Sequence, residues 1–190
     1  MDSFVKTALF LDRDGIINRD FGYVYEREKL ELVDGAIELI DFFSKKVDHI
    51  IVVSNQSGIG RGYYSFEDWE NFNQEIQTQL NEHGVKVDKF YCCPHLPRNQ
   101  DQECNCRKPN TGMLLKAEKE FSLNLKKSIL VGDQVSDITA AKNSGLLRAY
   151  FLSTERSKLI DLFGQFDASI VTSLRDIGSI ELMKCQGAIK

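Results

Sequence analysis

Thr7-Ala-Leu-Phe-Leu-Asp-Arg-Asp-Gly15 is the stretch that decides the fold. Residues 7–11 are apolar and predict a buried strand, which ends in two aspartates and a glycine. Because side chains alternate along a strand, Asp12 and Asp14 can face one ligand while Arg13 points elsewhere. Two carboxylates this close repel each other, and a divalent cation relieves that repulsion. The stretch therefore predicts a strand that ends in a site for a cation such as Mg²⁺.

Predicted strands and helices alternate along the rest of the chain. Further strands are expected at 49–54, 87–92, 128–132, 147–152 and 168–171, and helices at 36–47, 66–83, 111–121, 135–144, 154–163 and 173–184. Loops are expected at 16–34, at the glycine-rich segment 56–62 and at 93–110. Ser65 with Asp68 predicts an imperfect capping box, and Thr111 a helix cap. The alternation indicates an α/β fold, a Rossmann-like, doubly wound and mostly parallel sheet with helices on both faces.

Length and composition limit the class of protein. The 190 residues predict one domain spanning residues 1–190, with no insertion large enough for a cap domain. The net charge of −4 argues against nucleic acid or an anionic membrane as a partner. The chain has neither an apolar run long enough to cross a membrane nor a signal peptide at residues 1–6. We expect a cytoplasmic monomer that acts on a small molecule.

Three other stretches lie just after a predicted strand or in the loop that follows one. They are Ser54-Asn55, Arg107-Lys108-Pro109 and Gly132-Asp133. In sheets of this kind, ligands bind beyond the carboxyl ends of the strands. The four stretches should therefore meet at one edge of the sheet, where a cation, an ammonium group and hydrogen-bond donors around an aspartate would suit phosphoryl transfer.

The loop 93–108 carries a second cluster. Cys93-Pro-His95 and Cys104-Asn-Cys106 supply three thiolates and one imidazole, a closed tetrahedral set for a structural Zn²⁺. Such a zinc would order the loop that leads into Arg107-Lys108. Cys92 is the competing ligand, although its side chain should point away from that of Cys93. Unligated thiols are the alternative interpretation, and Cys185 is expected to be an ordinary thiol.

The order of these motifs resembles the haloacid dehalogenase superfamily of phosphohydrolases over about residues 7–152. The resemblance implies a catalytic set of Asp12, Asp14, Ser54 and Lys108. In that set Asp12 is the nucleophile, Asp14 the acid/base, and Lys108 neutralises the aspartyl-phosphate. It also implies that Mg²⁺ is held by Asp12, Asp133 and the backbone carbonyl of Asp14, with Asp137 behind them.

The cysteine loop is similar to that of a subgroup containing heptose bisphosphate phosphatases and histidinol phosphatases. Residues 18–25 and 54–62 resemble the heptose branch, which implies a sugar bisphosphate substrate in the synthesis of nucleotide-activated heptose for bacterial surface polysaccharide. The substrate contacts implied are Asp20, Phe21, Gly22, Tyr23, Ser54, Asn55, Gln56, Ser57, Arg107, Lys108 and Gln134. Arg107 would hold the phosphate that is retained, since its planar fork can grip two oxygens.

Two alternatives stay open from the sequence. A histidinol-phosphate phosphatase shares the zinc loop, but it would leave Arg107 without a second phosphate. A non-catalytic, zinc-stabilised binding protein would not need the intact aspartates. Gln134 stands where the heptose enzymes usually have lysine, so the sequence does not fix the preferred anomer.

Overall fold

The computed structural model of the protein describes residues 5–97, 104–154 and 164–187. Within these ranges the strands are β1 (Ala8–Leu11), β2 (His49–Asn55), β3 (Lys89–Cys93), β4 (Ile129–Gly132), β5 (Arg148–Leu152) and β6 (Ala168–Val171). The helices are α1 (Ala36–Ser44), α2 (Ser57–Gly60), α3 (Phe66–Glu82), α4 (Gly112–Phe121), α5 (Val135–Ser144) and α6 (Arg175–Gly187). Short 3₁₀ turns lie at Arg27–Lys29 and Leu125–Lys127.

The strands form one parallel sheet in the order β3-β2-β1-β4-β5-β6. This confirms the predicted doubly wound α/β fold. After β1 the chain builds one half of the sheet through β2 and β3, and then returns to the other side of β1 with β4. Strand order reverses between β1 and β4, and ligands in such sheets bind in the crevice at that switch point. Leu11 pairs with Val131 across this boundary, so Asp12 and Asp133 emerge from neighbouring strands.

The alternation of side chains along β1 divides the core into two layers. Leu9 and Leu11 belong to a buried cluster that includes residues of α1, α3 and α6. Ala8 and Phe10 point to the opposite face, into a cluster that includes residues of α4 and α5. All four side chains are fully buried, as expected for a central parallel strand covered on both faces. The sheet edge that carries the aspartates is thus held from both sides.

Most predicted elements are present, with shifts at their ends. The third strand starts two residues later than predicted and ends one residue later, at Cys93, and α1 ends three residues earlier, at Ser44. Ser65 and Asp68 form both halves of the capping box. None of the described helices has the length and apolar character needed to cross a membrane. Nearly all of the helix predicted at 154–163 lies outside the described residues.

Two local predictions were wrong, one about a loop and one about a helix cap. The glycine-rich segment after β2 is not all loop, because Ser57–Gly60 forms a short helix. Thr111 precedes α4 but makes no capping hydrogen bond, since its backbone is not in the extended conformation of an N-cap residue. Instead, the amide of Gly112 donates to the carbonyl of Asn105 at 2.8 Å. A Cβ on Gly112 would lie 2.4 Å from that oxygen, so glycine allows the cysteine loop to pack against α4.

Candidate active site and metal centres

A cavity of about 340 Å³ opens at the carboxyl edge of the sheet, beside the switch point. It is lined by Asp12, Asp14, Asp20, Gly22, Tyr23, Ser54, Asn55, Gln56, Ser57, Tyr64, Arg107, Asp133, Gln134 and Ser136. The ends of β1, β2 and β4 thus bring together residues more than 120 positions apart in the sequence. Sequence reasoning missed Tyr64 and Ser136, since neither belongs to a motif at a strand end. Phe21 does not line the cavity, and its side chain is exposed.

Lys108 is buried beneath this cavity with a partner for each of its three protons. Its Nζ lies 3.1 Å from Asp12 Oδ1 and 2.6 Å from Asp137 Oδ1, and it donates to the carbonyl of Val53 at 2.6 Å. Burial alone would lower the pKa of Lys108, but the carboxylates of Asp12 and Asp137 outweigh it and raise the pKa. The group therefore remains a cation. The side chain of Asn55 holds the backbone of Lys108 through two hydrogen bonds.

Asp12, Asp133 and Asp137 form what we call the carboxylate cluster, in which one oxygen of each lies within 4.8 Å of the others. Burial raises the pKa of Asp12 to about 8 although Lys108 opposes the shift, and burial raises the pKa of Asp133 to about 6. Asp133 Oδ1 is buried with no hydrogen-bond partner among the described residues. With all three carboxylates ionised, the one ammonium of Lys108 would leave two negative charges uncompensated. A divalent cation with oxygen ligands, such as Mg²⁺, fits both the charge and the donor atoms.

Two glycines make room for this cluster. A Cβ on Gly15 would lie 2.2 Å from Asp133 Oδ2, and the φ of Gly15 is +84°. A Cβ on Gly132 would lie 2.4 Å from the Cβ of Asp137. Both positions thus need a residue without a side chain. The glycines of the Asp-Arg-Asp-Gly and Gly-Asp motifs allow the carboxylates to approach one another.

The carboxylate of Asp14 is held apart from this cluster. It accepts hydrogen bonds from Arg13, from Asn18 Nδ2 at 3.0 Å and from Gln56 Nε2 at 2.7 Å. Arg13 was expected to point elsewhere, but its fully buried guanidinium turns back to form an ion pair with Asp14 at 2.9 Å. It also lies over the ring of Phe72, with Cζ 4.8 Å from the ring centroid. A buried cation requires a charged partner, and Asp14 is the adjacent one.

Gln134 and Arg107 occupy other parts of the cavity wall. The backbone amide of Gln134 donates to Asp137 Oδ2 at 3.0 Å, and its side chain reaches Asp133 Oδ2 at 3.4 Å. Arg107 donates from Nη1 to the carbonyl of His95 at 3.2 Å. This bond ties the cavity wall to the cysteine loop. Arg107 and Gln134 are thus held in place while still lining the open space.

Cys93, His95, Cys104 and Cys106 form what we call the cysteine cluster, again with ligand atoms within 4.8 Å of one another. Cys93 Sγ lies 3.6 Å from Cys104 Sγ and 3.0 Å from Cys106 Sγ, and His95 Nδ1 lies 3.2 Å from Cys106 Sγ. None of the three thiols forms a disulfide. Zn–S bonds of about 2.3 Å place tetrahedral ligands roughly 3.8 Å apart, so a small adjustment fits zinc. Cys92 lies outside the cluster.

Comparisons with known proteins agree with this geometry. Residues 105–176 match a family model described as HAD-hydrolase-like. A curated relative from Campylobacter jejuni, D-glycero-alpha-D-manno-heptose-1,7-bisphosphate 7-phosphatase, is 43% identical over 84% of this chain and 89% of its own length. The corresponding beta-named enzyme from Pasteurella multocida is 38% identical over 79% of this chain and 83% of its own.

A solved structure shares the fold. The D,D-heptose 1,7-bisphosphate phosphatase of B. bronchiseptica, complexed with magnesium and phosphate, matches with a TM-score of 0.80 and 25% identity, over 94% of this chain and 99% of that one. The relatives include enzymes named for either anomer, and their lengths are largely spanned by this chain. By its sequence and its fold, this chain belongs to the HAD-like hydrolases, within the family of D-glycero-manno-heptose-1,7-bisphosphate 7-phosphatases.

Proposed function

We propose that this protein is a Mg²⁺-dependent phosphatase that removes the C7 phosphate of D-glycero-D-manno-heptose 1,7-bisphosphate through an aspartyl-phosphate on Asp12. The observation that carries the chemistry is the buried contact between Asp12 and Lys108 at the floor of an open cavity, beside Asp133. The names of the relatives support the substrate.

Asp12, Asp133 and the backbone carbonyl of Asp14 would hold the Mg²⁺. Asp137 lies close enough to share in the site, but it already contacts Lys108 and the amide of Gln134. We therefore assign Asp137 to fixing Lys108 and the start of α5. When bound, Mg²⁺ supplies positive charge beside the phosphate oxygens and favours the ionised form of the carboxylates around it.

In the first step, a carboxylate oxygen of Asp12 attacks the phosphorus of the C7 phosphate while the bond from phosphorus to the sugar oxygen breaks. Asp14, protonated in this step, gives its proton to the departing oxygen. Lys108 remains 3.1 Å from Asp12 Oδ1 in the free protein, where its charge stabilises the phosphoryl group as it transfers. Ser54 lies at the end of β2 and lines the same cavity, where it would contact the phosphoryl oxygens.

In the second step, water attacks the phosphorus of the aspartyl-phosphate and the bond to Asp12 breaks. Asp14, now ionised, takes a proton from the attacking water. Inorganic phosphate leaves, and both aspartates return to their starting protonation states. One residue thus acts first as acid and then as base, which requires that its carboxylate stay beside the reacting phosphate throughout.

Arg107 makes the site suited to a substrate with two phosphates. Lys108 is fully engaged below the cavity, whereas Arg107 lines the open space. One cation therefore serves the reacting phosphate and the other remains for a phosphate at the far end of the sugar. The guanidinium fork suits that retained C1 phosphate because it can bind two oxygens at once.

The cysteine cluster is assigned to a structural Zn²⁺. Its four protein ligands fill a tetrahedral set and leave no position for substrate. Cys106 directly precedes Arg107 and Lys108, and Gly112 packs on Asn105 of the same loop. Zinc bound here would fix the backbone that positions the side chains of Arg107 and Lys108.

The substrate is tested by comparing kcat/KM for phosphate release with Mg²⁺ from four compounds. These are the α and β heptose 1,7-bisphosphates, histidinol phosphate and fructose 1,6-bisphosphate. We expect one heptose anomer to exceed both other compounds by at least about 100-fold, with heptose 1-phosphate as the product. Preference for histidinol phosphate would contradict the substrate, and no release from any compound would contradict the enzymatic function.

A further inference from the structure

We propose that Tyr64 is a positioning residue for the reaction, which acts through Gln56 to hold the acid/base Asp14. The proposal rests on the proposed function, because it takes Asp14 as the group that protonates the leaving oxygen. The proposal requires no contact between the substrate and either Tyr64 or Gln56. What matters is a chain of hydrogen bonds from the Tyr64 hydroxyl to the Asp14 carboxylate.

The orientation of the Gln56 amide is set by two donors. Tyr64 Oη donates to Gln56 Oε1 at 2.5 Å, and Arg13 Nη2 donates to the same oxygen at 3.2 Å. A guanidinium has no acceptor, so the amide oxygen must face it. The amide nitrogen is thereby turned toward Asp14 Oδ2 and Ser54 Oγ, each 2.7 Å away. Gln56 is 2% exposed, and its amide hydrogens are already committed to these two oxygens.

Tyr64 itself is fitted closely into its place. Its side chain is buried, and its ring stacks on that of Tyr25 with centroids 4.9 Å apart. A Cβ on Gly58 would lie 2.1 Å from Tyr64 Cε1, so the glycine of the segment after β2 is required for the ring to sit here. Burial raises the pKa of Tyr64 to about 12, and the phenol keeps the proton that it donates to Gln56.

Loss of the hydroxyl would leave Gln56 Oε1 with the longer bond from Arg13 alone. The amide could then rotate, and Asp14 Oδ2 would lose its short hydrogen bond from Gln56. Proton transfer to the leaving oxygen depends on the position of the acid. This dependence is strong when a sugar alkoxide leaves and weak when the leaving group is stable as an anion, as p-nitrophenolate is. A positioning defect therefore has a signature that a general loss of structure lacks.

The test is Tyr64→Phe, with kcat/KM measured for the heptose bisphosphate and for p-nitrophenyl phosphate. The value of kcat/KM reports the steps up to formation of the aspartyl-phosphate, in which Asp14 acts as the acid. We expect a fall of about 10- to 100-fold for the sugar phosphate, carried mainly by kcat, and less than about threefold for the aryl phosphate. Tyr63→Phe is the matched control, since the side chain of Tyr63 is exposed and its hydroxyl has no hydrogen-bond partner among the described residues, and it should leave both values unchanged.

Gly58→Ala gives an independent perturbation, because it displaces the ring and keeps the hydroxyl. Gly58→Ala should show the same selective loss of activity on the sugar phosphate as Tyr64→Phe. If Tyr64→Phe fails to fold, Gly58→Ala tests the positioning role on its own. Equal losses on both substrates, or none, in the folded variants would overturn the positioning role and leave the proposed function standing. An unmutated protein that releases no phosphate from either compound would instead contradict the proposed function itself.

Discussion

The carboxylate cluster and the cysteine cluster are built in opposite ways. Asp12 and Asp133 follow central, fully buried strands, and the cluster keeps one side open to a cavity. Three of the four cysteine-cluster ligands follow β3 in a loop that has no regular secondary structure among its described residues. Its four ligand atoms lie within 4.8 Å of one another, which is enough for a tetrahedral set made of protein ligands alone. One cluster is thus supported by the fold, whereas the other supports the loop.

The two clusters also differ in how their negative charge is balanced. The carboxylate cluster contains a buried ammonium, Lys108, that compensates only part of its negative charge. The residual charge calls for a divalent cation that can also meet a phosphate. In the cysteine cluster, burial raises the pKa of Cys93 well above its usual range, so its thiolate form depends on a bound metal. A metal site that opens to a cavity and one whose ligands are all supplied by protein can thus be distinguished by geometry before either metal is measured.

Of the variants that test the two clusters, Asp12→Asn should have the largest effect on phosphate release. It removes the nucleophile, so phosphate release should fall by on the order of 10⁴-fold or more. The fold should persist, because the amide has the same shape and takes a buried charge out of the core. Phosphate release and thermal unfolding together check this. Asp176→Asn, at an exposed aspartate in α6, is the matched control, and turnover retained in Asp12→Asn would rule out the covalent step.

Cys104→Ser should remove the zinc and weaken the loop. Loss of a structural metal costs about 3–5 kcal/mol of unfolding free energy, which lowers Tm by roughly 6–20 °C in a chain of this size. Activity should fall about 10- to 100-fold because Arg107 and Lys108 are less well placed. Metal analysis and calorimetry make the measurement. Cys92→Ser, next to the cluster but outside it, should retain about one zinc per chain; an unmutated protein without zinc would refute this assignment.

Arg107→Ala should reduce activity on a bisphosphate substrate more than activity on a monophosphate substrate. With the retained phosphate unpaired, kcat/KM for the bisphosphate should fall about 10- to 100-fold, and that for a monophosphate of the same sugar by less than about threefold. Arg19→Ala removes an exposed arginine that pairs with Glu31 and serves as the control. Equal losses on the two substrates would mean that Arg107 does not bind the distal phosphate.

Gln134→Lys should have the smallest effect. A lysine at the cavity wall adds a partly exposed cation, worth about 1 kcal/mol at most, so KM for the bisphosphate should fall no more than about fivefold. The ratio of rates for the α and β anomers measures whether this position also affects anomer preference. An increase in KM would show that the added ammonium pairs with Asp133 instead of with substrate.

Much of the fold and of the candidate site could be predicted from the sequence, for a physical reason. Apolar runs such as 7–11 mark buried strands, and polar residues just after them must lie at the same edge of a parallel sheet. The ligand spacing in the cysteine loop is equally local. What could not be predicted was the set of contacts between side chains. Arg13 turns back to pair with Asp14, and Tyr64 packs against Gly58. Both contacts depend on tertiary packing, which the spacing of residues in the sequence does not predict.

The most direct test of the account is a metal add-back on one preparation of the unmutated protein. Chelator-treated protein is assayed for release of the C7 phosphate without metal, with Mg²⁺, and with Zn²⁺, and its zinc content is measured in parallel. We expect about one zinc retained per chain, activity near zero without added metal, and recovery with Mg²⁺ alone. Full activity without Mg²⁺, or recovery that requires Zn²⁺ in its place, would contradict the assignment of catalysis to the carboxylate cluster.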